Sequence, residues 1–339
     1  MSYLVNLTTL TKTCIAYRNK QEICNYPPTR VWVEPTDYCT LQCKFCGNRL
    51  LRDEERGFMD FELFRQLVDE ASGKVQQLNL FHRGEPLLHR QICEMVAYAS
   101  SRDLRTRIHT NGTTLSDGLA RELIAAGLGV TSFSFDGYDR EMYEANRPGA
   151  DFDHVLGNIV RFLELKRKIG SSKPFVVIEL MEITDLPPNQ IRKKRRQFLS
   201  MFEGLPLDKF VIRRPHNWGG LIKTHLITTS DEGRIPCPLL WHALVVFWDG
   251  RVMPCPQDFF GVLQIGDARK ESLSECWNGN PIRELRREMS KPDHIERHPC
   301  VDCDRLSRST FAGIPIDYLG RFLSDTLFGN SWLSRIIPH

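Results

Sequence analysis

Cys39-Thr40-Leu41-Gln42-Cys43-Lys44-Phe45-Cys46 sets three cysteines apart by three residues and then by two. Thiols this close on one tight loop pair poorly as disulfides, and an odd number leaves one over. They suit a loop wrapped around an iron–sulfur cluster, whose usual ligands are thiolates. Three thiolates on a four-iron cube leave one iron open, and an open metal position is a reaction site rather than a closed structural one. A zinc knuckle competes for these residues, but three cysteines without a fourth ligand nearby close a zinc site poorly.

Working outward, the loop follows an apolar run, Arg30-Val31-Trp32-Val33-Glu34. From there to about residue 214, short β-rich runs alternate with longer helical ones. The patterning predicts strands over 31–35, 76–82, 105–110, 130–136, 174–181 and 208–213. Helices are expected over 60–72, 88–101, 116–126, 153–169 and 188–203. Phe61, Phe64, Leu67 and Val68 recur at helical spacing, and Val176-Val177-Ile178 reads as a buried strand. Such alternation implies an α/β fold of parallel βα units.

The cysteine loop, its preceding apolar run and the aromatic Phe45 before the third cysteine together resemble the radical S-adenosylmethionine (SAM) superfamily. That resemblance implies a partial (β/α)6 TIM-like barrel, with Cys39, Cys43 and Cys46 holding a 4Fe–4S cluster whose open iron chelates SAM. In a parallel barrel, ligands gather at the carboxyl ends of strands. The motifs quoted next all fall there.

Phe81-His82-Arg83-Gly84-Glu85-Pro86 resembles the family's GEP motif, so Gly84, Glu85 and Pro86 are expected at the SAM amino group, where a carboxylate faces an ammonium. His109-Thr110-Asn111-Gly112 brings Asn111 to the SAM site, although an Asn-Gly pair alone is a turn signal. Ser132-Phe133-Ser134-Phe135-Asp136-Gly137 offers Ser134 and Asp136 to the ribose hydroxyls. Arg147, before Pro148, is the candidate for the SAM carboxylate, and Phe45 is expected to flank the adenine. Glu179 and Glu182 read equally as ligand contacts or as caps of the following helix.

Beyond Arg213 the character changes, and the chain resembles a C-terminal SPASM or twitch domain. Cys237, Cys255, Cys300 and Cys303 are enough thiols for one auxiliary 4Fe–4S cluster, while a structural zinc site fits the same spacing. The chain departs from the seven-cysteine SPASM pattern, which points to a shortened version with one auxiliary cluster. Asp249-Gly250 predicts a hairpin there. The expected organisation is a lead-in over 1–29 docked on the first strand, a core domain over 30–214, an auxiliary cluster domain over 215–310 and an apolar tail over 311–339. The tail reads as a helix docked on the barrel or as a peripheral membrane contact. Cys14 and Cys24 are read as free thiols.

Composition is ordinary for a soluble globular protein, with 41% hydrophobic and 26% charged residues among 339. A net charge of +3 is too mild to imply nucleic acid, and Arg192 to Arg196 read as a solvated helix face. Met1 to Leu10 lacks the basic start and apolar core of a secretory signal. Eleven cysteines, several of them read as metal ligands, then suit a reducing cytoplasm. The resemblance implies an electron donor such as a flavodoxin or ferredoxin. It also implies hydrogen abstraction from a substrate, most simply net oxidation of a small molecule through the auxiliary cluster. A peptide-modifying maturase, a redox-neutral epimerase or transferase, and a non-enzymatic zinc or iron–sulfur protein are the competing classes.

Overall fold

A computed structural model describes residues 3–75, 77–213, 215–227, 233–311 and 314–316. Its strands are β1 (Arg30–Val33), β2 (Gln77–Leu80), β3 (Thr106–Thr110), β4 (Val130–Ser134), β5 (Phe175–Met181), β6 (Lys209–Arg213), β7 (Ala243–Val246), β8 (Arg251–Met253) and β9 (Gly266–Asp267). Between them lie helices α1 (Tyr3–Arg18), α2 (Phe61–Ala71), α3 (Ile92–Ser101), α4 (Asp117–Ala125), α5 (Arg140–Asn146), α6 (Phe152–Ile169), α7 (Pro188–Ser200), α8 (Leu273–Asn278) and α9 (Asn280–Met289). Short polar side chains start several of them. Asp60 accepts from the Leu63 N–H, Ser116 from Leu119, Asp139 from Met142 and Asp151 from His154, which satisfies amides with no partner inside the helix.

The sheet order is β6-β5-β4-β3-β2-β1-β7-β8-β9, and every pairing from β6 to β7 is parallel. β7 takes the flank of β1 on which a closing strand would sit, so the barrel stays open. The hairpin β7–β8 and then β9 continue the same sheet antiparallel. The chain after residue 215 therefore returns to the barrel sheet itself.

Strand parity sorts the side chains. Ile108, Phe133, Val176, Ile178 and Leu180 face the helices and join the main core. The opposite face carries a separate apolar cluster of Val130, Val177 and Val211. Two residues further along the same strands stand Ser132, Glu179 and Arg213. The barrel interior is thus apolar at its floor and polar towards its carboxyl-end mouth.

The lead-in differs from expectation. It forms α1 and docks on the C-terminal part rather than on β1. Tyr17 packs edge-on against Trp241 at 5.6 Å, the Trp277 indole N–H donates to the Tyr26 carbonyl (2.7 Å), and buried Arg286 donates to the carbonyls of Leu240 and Glu22. β1 is paired on both edges, by β2 and by β7, and has no edge left to receive the lead-in, whereas these rings offer large apolar surface. Along α7, Lys194 and Arg195 pair with Asp139 and Glu182 while Arg192, Lys193 and Arg196 stay exposed. No described helix is long and apolar enough to cross a membrane. Most of the expected tail helix, with its membrane contact, falls on residues 317–339, outside the described residues.

Candidate functional site

The cysteine loop leaves β1 over the carboxyl ends of β2 and β3. Its path is held by backbone contacts rather than by its own turns. The Asn48 amide donates to the carbonyls of Asp37 (2.7 Å) and Arg83 (2.8 Å), and Arg56 donates to the Asp37 carbonyl (2.7 Å). On the other side, Gln42 N–H donates to the Pro148 carbonyl and Lys44 N–H to the Asn146 carbonyl. The loop is therefore stapled to the end of α5, which the sequence patterning missed because a seven-residue helix between two motifs shows too little periodicity.

Gly84 lies directly beneath. A Cβ there would stand 2.3 Å from the Thr36 carbonyl oxygen and 2.6 Å from that of Tyr38. Only glycine permits so close an approach of two backbones, and it lets the Glu85 N–H donate to the Tyr38 carbonyl at 2.7 Å. The Glu85 carboxylate is buried and accepts from Leu87 N–H (3.0 Å), the Thr110 hydroxyl (2.7 Å) and Asn111 N–H (2.7 Å). Burial nonetheless leaves its carboxyl raised above the usual range. Pro86 opens the short turn that Glu85 caps. Asn111 completes the circle, donating to Cys39 Sγ at 3.7 Å and to Thr40 Oγ1 at 3.1 Å.

The fold thus brings Cys39, Cys43, Cys46, Gly84, Glu85, Pro86 and Asn111 together. Phe45 is half-buried beside them, its carbonyl accepting from the Trp218 indole N–H at 3.0 Å. Arg147 and Asp136 meet each other instead of standing apart: they pair at 2.6 Å, and Asp136 also accepts from Met181 N–H at 2.8 Å. The Arg147 Nε remains buried without a partner. Ser134 lies one step inside, bonded to the His109 imidazole. Neither Glu179 nor Glu182 caps α7, whose start is Pro187 with no side-chain cap. Glu179 is held by Arg107 and Arg213, and Glu182 by Tyr138 and Arg195.

The surroundings of the loop do not by themselves stabilise thiolates. Burial pushes Cys39 up to about 11 and Cys46 up to about 12, with neighbouring cysteines adding to the rise at both. A thiol so placed stays protonated unless a cation takes up its charge, and cluster iron does so. None of these cysteines is in a disulfide. A second group forms where Cys237, the turn after β8 and the Cys300–Cys303 knuckle meet. Burial raises the Cys255 thiol well above its ordinary value, and Cys237, Cys303 and Cys300 all add to the rise. Among the described residues, no three His, Cys, Asp or Glu converge as tightly as one mononuclear ion requires.

Three ionisable residues at the inner side of the site escaped the sequence reading. Glu34 is buried and receives Arg83 through two bonds of 2.7 Å, with His82 Nδ1 at 3.3 Å. His82 and Arg83 stand in a quoted motif, yet nothing local ties them to a carboxylate 48 and 49 positions away. His82 Nε2 in turn lies 3.0 Å from the Pro256 carbonyl, beside Cys255. The motif around strand β2 therefore touches both cysteine groups.

Comparison with known proteins gives the family of the chain. A family model for the radical SAM superfamily matches residues 33–180, and one for an iron–sulfur cluster-binding domain, SPASM, matches residues 237–304. A PqqA peptide cyclase of Granulibacter bethesdensis is 32% identical over 326 residues, covering 82% of this chain and 80% of that protein. A tungsten-containing aldehyde ferredoxin oxidoreductase cofactor-modifying protein of Pyrococcus furiosus is 24% identical over 302 residues, covering 73% and 80%. In fold, SuiB of Streptococcus suis bound to S-adenosylmethionine superposes with a TM-score of 0.57 at 16% identity, over 86% of this chain and 74% of that one. The first domain implies a 4Fe–4S cluster and SAM, and the second implies auxiliary iron–sulfur. The chain belongs to the radical SAM superfamily, with a C-terminal SPASM iron–sulfur cluster-binding domain.

Proposed function

We propose that this radical SAM enzyme carries out a net two-electron oxidation of an organic substrate. Cys39, Cys43 and Cys46 hold the SAM-binding cluster, and Cys237, Cys255, Cys300 and Cys303 hold one auxiliary cluster. The meeting of Cys237, Cys300 and Cys303 around Cys255 is the observation that carries the reading. When bound, the first cluster and SAM together supply a 5′-deoxyadenosyl radical that removes a hydrogen atom from substrate.

The chain's own residues position and shield. Glu85 has about four lone-pair sites on its carboxylate and three internal donors, which leaves one for the SAM ammonium. Gly84 and Pro86 fix that carboxylate, and Asn111 ties it to the cysteine loop. Phe45 flanks the adenine, Ser134 and Asp136 face the ribose side, and Arg147 offers its unpartnered Nε to a SAM oxygen. A site closed by four protein thiolates has no corner for substrate, so those cysteines are suited to holding an electron acceptor. Net oxidation removes one hydrogen atom, one further electron and one proton from the substrate; a cluster held by Cys237, Cys255, Cys300 and Cys303 would supply the acceptor for that electron, and the proton would go to solvent. Together these make a dehydrogenation or a new bond. A flavodoxin or ferredoxin supplies the electron that starts the cycle.

A small molecule is the primary substrate reading. A peptide is the second, favoured by the PqqA peptide cyclase relative, which is 32% identical over most of both chains. In a Cys237→Ala/Cys303→Ala double variant, iron content is expected to fall from two cubes to one. Dithionite-driven release of 5′-deoxyadenosine should continue while oxidised product disappears. Normal product formation by that variant refutes the acceptor role, and a product unchanged in oxidation state refutes net oxidation.

A further inference from the structure

At the mouth of the barrel beyond the cysteine loop, Arg107, Arg147 and Arg213 stand against Glu179, Asp136 and Glu85, and each of these carboxylates is already bonded. Glu179 is shared by Arg107 and by Arg213 (2.9 Å). Asp136 is held by Arg147 and by Met181 N–H, and Glu85 by its three donors. Burial, helped by Arg107, Arg147 and Arg213 against the pull of Glu179, brings His109 down to about 4, so it adds no charge at neutral pH.

The loop after β6 carries this surface across to the cysteine knuckle. Asn217 N–H donates to Asp304 Oδ1 (3.1 Å), the Asn217 amide donates to the Asp302 carbonyl (2.6 Å), and Asp304 N–H returns to Asn217 Oδ1 (3.3 Å). Clamped this way, His216 sits over Trp218 at 4.4 Å between ring centroids, within electrostatic reach of Arg305, Arg308 and Arg213. His216 Nε2 and Arg305 Nε are both buried and both lack a hydrogen-bond partner. Buried polar atoms are almost always satisfied. Two such orphans lie on segments clamped together by Asn217 and Asp304, with His216 three residues from Arg213, whose carboxylate partner Glu179 is already shared with Arg107, and they leave room for an anion from outside.

We propose that this mouth anchors the substrate, and that the substrate carries an anionic oxygen group, a carboxylate or a phosphate, received by His216, Arg305 and Arg213. A guanidinium fork matches both groups geometrically. The inference rests on the radical SAM reading of the site and adds the class of substrate to it. The rival is that Arg305 only offsets the charge of the auxiliary thiolates, since it also acts on Cys237 and Cys303.

The test is anaerobic titration calorimetry of the reconstituted holoenzyme with SAM present, against inorganic phosphate and against glutarate, with chloride at matched ionic strength as control. Saturable binding of either anion is expected, and whichever binds more tightly names the group. His216→Phe and Arg305→Gln should each weaken it by about tenfold or more, the scale of one hydrogen bond to a charged group. If neither anion binds saturably, or if both variants bind as the unaltered protein does, the proposal is wrong. A change in auxiliary-cluster potential in Arg305→Gln with unchanged anion affinity favours the rival and equally overturns it. Should Arg305→Gln lose iron, His216→Phe decides alone. Release of 5′-deoxyadenosine by the unaltered enzyme is measured alongside. Its absence counts against the radical SAM reading, whereas the binding heats judge the anion site.

Discussion

Glu85→Gln separates the two tasks given to that carboxylate. Both oxygens now accept: Oε1 from Leu87 N–H and the Thr110 hydroxyl, Oε2 from Asn111 N–H. An amide replaces one oxygen by an NH2 group, which must face a backbone N–H whichever way it turns. With the NH2 at the first position, Thr110 can rotate to accept, but the Leu87 N–H is orphaned. At the second position the Asn111 N–H is orphaned instead. One buried hydrogen bond to a charged acceptor is lost either way, about 2–3 kcal/mol of stability. The remaining lone pair also loses its charge, so SAM should bind about 10- to 100-fold more weakly. Thr110→Val supplies the comparison, because it removes one of the three donors and keeps the carboxylate. It should cost about 1–2 kcal/mol and leave SAM affinity within a few-fold. The assay is equilibrium dialysis of SAM against anaerobically reconstituted protein, paired with urea unfolding at matched iron content. If Glu85→Gln binds SAM within twofold of the unaltered protein, the ammonium role falls. If its unfolding midpoint does not move, the hydrogen-bond accounting is wrong.

Glu34→Ala should be more damaging still, since among the described residues it leaves the buried Arg83 guanidinium Asp37, at 3.5 Å, as its one ion-pair partner. The expected cost is about 3–5 kcal/mol, read by urea unfolding. Burial alone would raise the Glu34 carboxyl, but Arg83 and His82 hold it well below its ordinary 4.5. Its contribution is therefore present above that value and is lost as pH falls towards the depressed one. The unaltered protein should lose stability on acidification below about pH 4.5 more steeply than Glu34→Ala, and parallel acid profiles refute the pairing. Gly84→Ala should push the cysteine loop off its support, because the new methyl meets two carbonyl oxygens at 2.3 and 2.6 Å. A cost of about 3 kcal/mol and reduced iron per chain are expected, and full iron loading with unchanged thermal stability counts against it.

Much of the architecture was legible from local pattern. The β-branched run around Val176–Ile178 and the spacing of Phe64, Leu67 and Val68 become β5 and the buried face of α2. Both signals are short-range, fixed by the period of a strand or a helix. Elements without such a period were missed. These include α5, and α1 with its docking on Trp241, which depends on aromatic surface supplied more than two hundred residues later. Pairing partners were hidden for the same reason. Arg147 and Asp136 read as separate ligand contacts in the chain, yet they form one ion pair because α5 folds back over the end of β4.

The sequence alone determined that three thiols on one short loop would face one object, because eight residues of backbone cannot separate them far. It also determined that the strands would alternate with helices and run parallel. Only the tertiary structure decided that β7 would lie beside β1 and leave the barrel open, that Glu179 would be shared between Arg107 and Arg213, and that His216 would come within reach of Arg305. Sheet order and strand register set which distant charges face each other, and a linear spacing carries no record of either.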